Sequence, residues 1–421
     1  MSSNRPSLRH AAVALQHRDF RLLFLSTVVS SVGSQLQTIS NTWQVYELTG
    51  SALQIGITGV ARAVPIILFS LAGGVVADRL DRRRIIMTTQ LLNGLFALFL
   101  AIVTVTHTVQ VWHIYLVIFL NASLVAVSGP GRRAIIAGLV PRHHLMNAMA
   151  LNQTVHDASR VVAPSVAGLL IAFVGLPISY FINAIAMLVT AAWLTFIKVA
   201  PLPDRPKVSA FRDLVEGLGF LRYRSIILVL LMTDFISQLF GSYQVLLPIF
   251  ADSYGVGPAG FGLLSSAPAV GALLGAAVVM SMGDVRYKGV WIVGAILAYS
   301  ACLVALALTP WFFLAWIVVV ALGFTDTMQS VPRNAIIQLV TPDELRGRVS
   351  AFQNMLINGG PGLGLGLMGG AAGVVGAPLA LIGGAATCAI LTVGVLVGRR
   401  DLRTRDLAMS NDPEPVGGAR A

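Results

Sequence analysis

Twelve apolar stretches of roughly twenty residues, separated by short polar loops, leave this chain few folds to choose from. A bilayer core about 30 Å thick takes roughly 20 apolar residues per helix. Barrel strands instead alternate over about ten residues, so a β-barrel does not fit. The stretches fall at about 20–43, 53–76, 84–106, 111–129, 150–174, 176–197, 225–250, 260–282, 289–308, 311–329, 349–374 and 377–398. Of the 29 Lys and Arg, all but Arg62 and Arg160 fall on one side of the stack, in the chain ends, the loops or the first residues of a stretch. Loops held in the cytoplasm collect Lys and Arg during insertion. The expectation is an all-α membrane protein with twelve transmembrane helices and both termini cytoplasmic.

Composition agrees. The 421 residues are 56% hydrophobic and 11% charged, against about 25% charged in a soluble domain. A net charge of +11 would point to nucleic acid in a soluble protein. Here it orients loops and meets anionic headgroups, so no nucleic-acid partner is expected. Cys302 and Cys388 sit in apolar stretches without disulfide or metal spacing. No cofactor or metal is implied. Residues 1–19 are polar and the first apolar run is full length, which is not the pattern of a cleaved signal.

The chain divides into a cytoplasmic segment 1–19, a six-helix bundle 20–197, a linker 198–224, a second six-helix bundle 225–398 and a charged tail 399–421 expected to be disordered. In the linker, Pro201, Pro203 and Pro206 stop any helix. Ser209 then caps a short amphipathic helix, with Phe211, Leu214, Val215 and Leu218 on one face and Arg212, Asp213 and Glu216 on the other. Such a helix lies on the cytoplasmic membrane surface. The halves repeat each other. Ala134-Ile135-Ile136 and Pro141 recur 201 residues later as Ala335-Ile336-Ile337 and Pro342. Gly56, Asp78 and Arg82 recur 206 residues later as Gly262, Asp284 and Lys288. Six spans is an even number, so the copies share one orientation, as in transporters whose site lies between two parallel repeats.

Between the second and third stretches lie Gly74, Asp78, Arg79, Arg82, Arg83 and Arg84. An acid at the membrane edge among arginines can latch two helix ends. This loop resembles the G-x-x-x-D-R-x-x-R-R signature of the major facilitator superfamily, and the two-times-six layout agrees over about residues 18–400. The segments Asp19–Phe24, Trp43–Ala52, Ala61–Pro65 and Leu139–Pro141 look like its enterobactin-exporter-like branch. The resemblance implies pseudo-symmetric bundles and proton-driven efflux of a siderophore or drug-like molecule from a bacterium, across its inner membrane. Ser159, Ala163, Pro164, Ala167 and Gly168 are similar to the family's antiporter motif, with Ser or Ala replacing glycines. Gly359, Gly360, Pro361, Gly362, Gly364 and Gly366 hold the equivalent place in the eleventh stretch, where they make a deformable helix suited to rocking.

Five charges fall inside apolar stretches: Arg62, Asp157, Arg160, Asp234 and Asp326. Each costs about 2.5–3.5 kcal/mol at a helix centre, so they should face a cavity or one another. Asp157 and Arg160 share a helical face and form a network with Arg62, a gate or an anion site. Asp234 has no basic residue expected at its depth in its own half, which makes it the first candidate for carrying a proton. Asp326 and Asp157 are the others, with Asp326 expected near the membrane edge and within reach of Arg333 outside it. His156 lies beside Asp157 on another face. Polar and aromatic candidates for the substrate cavity are Gln35, Thr38, Asn41, Trp43, Phe235, Gln238 and Tyr243. Related exporters often carry an acid near Ser34-Gln35, which this chain lacks.

Secondary active transport of an amphipathic small molecule by a monomer, coupled to protons, is the reading these features favour. A nutrient symporter or facilitator shares the fold, although the sugar-porter signatures are absent. An enzyme would need a constellation at the membrane surface, and His143-His144 is the sole candidate. A sensor would add a soluble domain, for which no loop is long enough.

Overall fold

The computed structural model describes residues 13–79, 81–197, 225–282, 287–342 and 345–398, without the side chains of 70–79, 82, 130, 133, 134, 225, 226, 288, 348, 351 and 396. The linker 198–224, with its amphipathic segment, and the tail 399–421 lie outside the described residues. The long helices are α1 (Arg18–Thr49), α2 (Ala52–Arg79), α3 (Arg82–Val105), α4 (Val111–Leu139), α5 (Leu145–Phe173) and α6 (Leu176–Leu194). They continue as α7 (Ser225–Phe240), α8 (Gly257–Met282), α9 (Lys288–Leu308), α10 (Phe312–Val340), α11 (Arg346–Val375) and α12 (Ala377–Gly398). Among the described residues there is no strand.

Nine of these helices are long and apolar enough to cross a membrane. The three that fall short are α5, which carries His156, Asp157 and Arg160, α7, which stops after 16 residues, and the glycine-rich α11. Large apolar side chains such as Trp112, Ile185, Leu273, Phe313 and Ile390 stand exposed on the outer helix faces. A bilayer is the solvent that covers them. We call the face where α1 begins and α12 ends the near face, and its opposite the far face.

Two expectations are corrected here. Apolar content predicts that the fourth and tenth spans stop at about 129 and 329, but α4 and α10 run on to Leu139 and Val340. Their last turns are not solvated loops. The repeated isoleucines Ile135, Ile136, Ile336 and Ile337 are buried in apolar clusters at the near face. Those turns therefore carry Arg132 and Arg333 into the protein. The second correction concerns the span at 225–250, which is not continuous. After α7 the chain turns at Gly241 and resumes as the short helix Leu247–Ser253. The Gly241 carbonyl accepts the Tyr299 hydroxyl at 2.8 Å instead of a helical N–H.

The first six helices pack among themselves, as do the last six, and α2 against α11 and α5 against α8 are the main contacts between them. Both contacts rest on glycine pairs. A Cβ on Gly168 would lie 2.8 Å from the Gly262 Cα, and one on Gly369 would lie 2.8 Å from the Gly56 Cα. Backbones this close admit no side chain. Gly56 and Gly262 are repeat mates, and Gly168 and Gly369 share the 201-residue offset. The two contacts are thus one contact made twice.

At the near face, the chain's entry is tied to the start of α5. His17 Nε2 lies 3.1 Å from His144 Nδ1, and the Asn147 side chain accepts from the Ala14 N–H at 3.2 Å. Burial, then His143 and His17, pull His144 below the ordinary histidine range.

Candidate substrate and ion pathway

The contacts between the two sets of helices lie on the far side. Tyr46 donates to Asp252 at 2.7 Å, Ser165 donates to Ser266 at 2.9 Å, and Trp43 stacks on Phe261 with ring centroids 5.6 Å apart. The glycine contacts Gly56–Gly369 and Gly168–Gly262 lie toward the same side, and the α2–α11 contact continues inward through Gly59–Gly362 and Ile67–Gly359. A depression of about 560 Å³ opens above this seal, lined by Trp43, Tyr46, Glu47, Asp252 and Pro258 among others. It reaches none of the buried charges.

Below the seal the intramembrane charges converge. Arg62 lies 10 residues into α2, Arg160 lies 15 into α5 and Asp326 lies 14 into α10. At 1.5 Å per residue each stands roughly 15–22 Å from a helix end. All three are nonetheless exposed, as side chains lining a space between the helices are. Arg160 is within electrostatic reach of Arg62, His156 and Asp326. It therefore joins the charges of the first six helices to those of the last six.

Asp234 does not stand alone. Arg333 Nη1 lies 2.6 Å from Asp234 Oδ1, with both side chains buried, and Gln238 Nε2 donates to Asp234 Oδ2 at 2.7 Å. The expectation that no base sits at its depth fails because α10 continues past its apolar stretch and carries Arg333 inward. The same extension corrects Asp326, which is mid-helix rather than near the membrane edge. Its Oδ1 accepts from Gln329 at 3.1 Å. Arg333 pairs with Asp234, while Asp326, two turns earlier on α10, forms no ion pair among the described residues and lies within the longer-range field of Arg333. Buried charge pairs of this kind persist only when closely matched.

Around α5 the expected network takes another form. Asp157 makes no ion pair among the described residues, and its Oδ1 accepts from Gln153 at 3.0 Å. His156 Nδ1 meets Ser31 Oγ at 3.2 Å. Arg132, unremarked in the sequence because it lies beyond the apolar run of α4, donates to Ser30 Oγ at 3.2 Å.

This architecture matches known proteins. The family model described as "Transmembrane secretion effector" matches residues 10–416. The chain belongs to that family, within the major facilitator superfamily. It is 24% identical over 381 residues to the enterobactin exporter EntS of Shigella boydii, covering 90% of this chain and 91% of that one. The same figures hold for EntS of Escherichia coli O81. Among solved structures it resembles the nucleoside transporter NupG, with a TM-score of 0.65, 13% identity, and 90% and 98% of the two chains covered. It also resembles a bacterial homologue of the human lysosomal transporter Spinster in an inward-facing, unoccupied conformation, with a TM-score of 0.66, 16% identity, and 94% and 96% covered. The chain is a multi-pass membrane transporter and not an enzyme.

The other candidates sort by depth. Of the loop that carries the superfamily signature, the side chains of Gly74, Asp78, Arg79 and Arg82 lie outside the described residues. Arg83 is described: its Nε donates to the Leu194 carbonyl at 2.8 Å and its Nη2 to that of Thr195, so it ties α3 to the end of α6. In the antiporter-like stretch, Ala163, Pro164, Ala167 and Gly168 are all buried, and Pro164 and Gly168 lie against Gly262 of α8. Thr38 is exposed, and Gln35, Phe235 and Gln238 are half-buried, as cavity walls are. Trp43 and Tyr243 are buried, with Trp43 in the far seal, and Asn41 is buried within α1. Those three stand back from the open surface. The Gln44 side chain, bonded to Thr104 and Tyr180, and the Asn183–Gln37 bond hold α1 to α3 and α6.

Proposed function

We propose that the chain exports an amphipathic small molecule across a bacterial cytoplasmic membrane in exchange for protons, with the near face cytoplasmic. The observation that carries this is the buried Asp234–Arg333 pair, with Asp326 on the same helix as Arg333, lying on the near side of the contacts that close the far face. Asp234, Asp326 and Arg333, fully ionised, bear a net negative charge. A single proton neutralises the trio, and on Asp234 it also releases Arg333 from its partner. Protonation from the far side and substrate from the near side then favour opposite arrangements of the two helix sets. The charge bias of the loops supports a cytoplasmic near face, which makes the present arrangement inward-facing. Likeness to the enterobactin exporters supports export, and the mixed polar and aromatic walls support an amphipathic cargo.

The test is flux in proteoliposomes under an imposed pH gradient. Asp234→Asn and Asp326→Asn should each abolish uphill accumulation while leaving substrate exchange. Full gradient-driven flux in both variants overturns the coupling.

A further inference from the structure

The two halves differ at one symmetry-related pair of arginines. Arg132 and Arg333 are repeat mates, 201 residues apart, on α4 and α10. Each reaches from its helix to the first helix of its own half, Arg132 to Ser30 on α1 and Arg333 to Asp234 on α7. In the second half the partner is a carboxylate at 2.6 Å. In the first half it is a serine hydroxyl at 3.2 Å. The same framework holds an arginine in both places and an acid in only one.

The consequence is a guanidinium without a counter-charge. Arg132 Nε is buried and has no hydrogen-bond partner; Arg333 Nε is in the same position, but Arg333 has the Asp234 carboxylate beside it and Arg132 has no such acid among the described residues. A buried donor on a charged group without an acceptor is costly and needs a reason. The surroundings add positive charge. His156 lies within electrostatic reach of Arg132 and Arg160, and Arg160 within reach of Arg62. Asp157 is the single acid of this group among the described residues, and Gln153 already bonds it. The opposite wall holds Asp234, Asp326 and Arg333. The cavity is therefore polarised, with a positive wall on the first six helices and a negative one on the last six.

We propose that Arg132, with His156 and then Arg160 deeper along the same wall, is an anion-recognition subsite, and that the transported molecule carries an acidic group which completes the place Asp234 fills in the other half. This deepens the exporter reading and rests on it for the substrate's identity. A carboxylate or similar oxyanion matches the fork of the guanidinium, which a hydroxyl does not. An apolar body would then lie toward Phe235 and the half-buried residues of α7.

The experiment compares 1-naphthoate with its neutral isostere 1-naphthamide. Binding is measured by calorimetry on the full chain in phosphatidylcholine nanodiscs, with empty nanodiscs subtracted and no pH gradient. The expected result is preferential binding of naphthoate. Arg132→Gln should weaken that binding by at least about tenfold, the size of a lost charge-assisted hydrogen bond, and leave naphthamide unchanged. Arg132→Lys should recover part of the affinity. Should Arg132→Gln not fold, Arg160→Gln and the wild-type preference decide. Equal binding of acid and amide, or unchanged naphthoate affinity in the variants, overturns the subsite. Displacement of naphthoate by phosphatidylglycerol nanodiscs would identify a lipid headgroup as the occupant and also overturn it. Because no gradient is used, loss of this preference leaves proton coupling standing, and failure of coupling leaves the preference intact.

Discussion

Arg333 and Asp234 are the residues on which the candidate site depends most. Removing one member of a buried pair costs about 3–5 kcal/mol, whereas replacing both by apolar side chains is often neutral. Arg333→Leu should therefore lower the thermal unfolding midpoint of the purified protein sharply. The double variant Arg333→Leu with Asp234→Leu should recover most of it. A single variant as stable as wild type would show that the pair carries no structural weight. This pair was not legible in the sequence. Asp234 stands out as a charge in an apolar run, but Arg333 lies past the end of one and reads there as a loop residue. Only the continuation of α10 brings it inward. Asp157 shows the reverse. Its spacing to Arg160 suggests an ion pair, and the side chain goes to Gln153 instead.

At the scale of helices, the far seal depends on missing side chains. The contacts of α5 with α8 and of α2 with α11 need glycine at 168, 262, 56 and 369, where an added Cβ would meet backbone atoms at 2.5–2.8 Å. Overpacking of this kind costs about 1–3 kcal/mol in a single packed state. In a transporter that cost falls only on the arrangement in which the helices touch. Gly168→Leu should thus disfavour the far-closed arrangement more than it destabilises the fold. Cysteine labelling at Gly50 and Gly257 should become faster by at least about fivefold, the effect of roughly 1 kcal/mol, with little change in unfolding temperature. Unchanged labelling would mean the close approach does not hold the seal. The repeat of Gly56 as Gly262 was visible in the sequence. That both approach glycines of the opposite half was not, because spacing along one chain does not say which helices meet.

For the whole molecule, the balance between arrangements hangs on few polar bonds. Tyr46–Asp252 and Ser165–Ser266 are hydrogen bonds between the halves, and both lie on the far side. The first is solvent-exposed, so its contribution is small, about 1 kcal/mol or less. Tyr46→Phe should raise the far-open population up to about fivefold, read as a longer component in spin-label distances across that face. A distance distribution identical to wild type would remove the latch from the account. A shift of this size is large for a machine that must populate both states.

The sequence by itself determined the solvent, the span pattern and the duplication. Those follow from hydropathy and from matching segments at fixed offsets, which are properties of the chain read linearly. Loop charge set the expected orientation in the same way. The tertiary structure decided where the helices end, which charges meet and which face is closed. Helix ends are set by packing, since Ile135, Ile136, Ile336 and Ile337 keep α4 and α10 helical beyond the apolar core. Charge partners lie on different helices, and hydropathy carries no information about rotation or neighbour. The asymmetry between Arg132 and Arg333 needed both readings: the repeat shows that the arginines correspond, and the fold shows that only one of them has an acid.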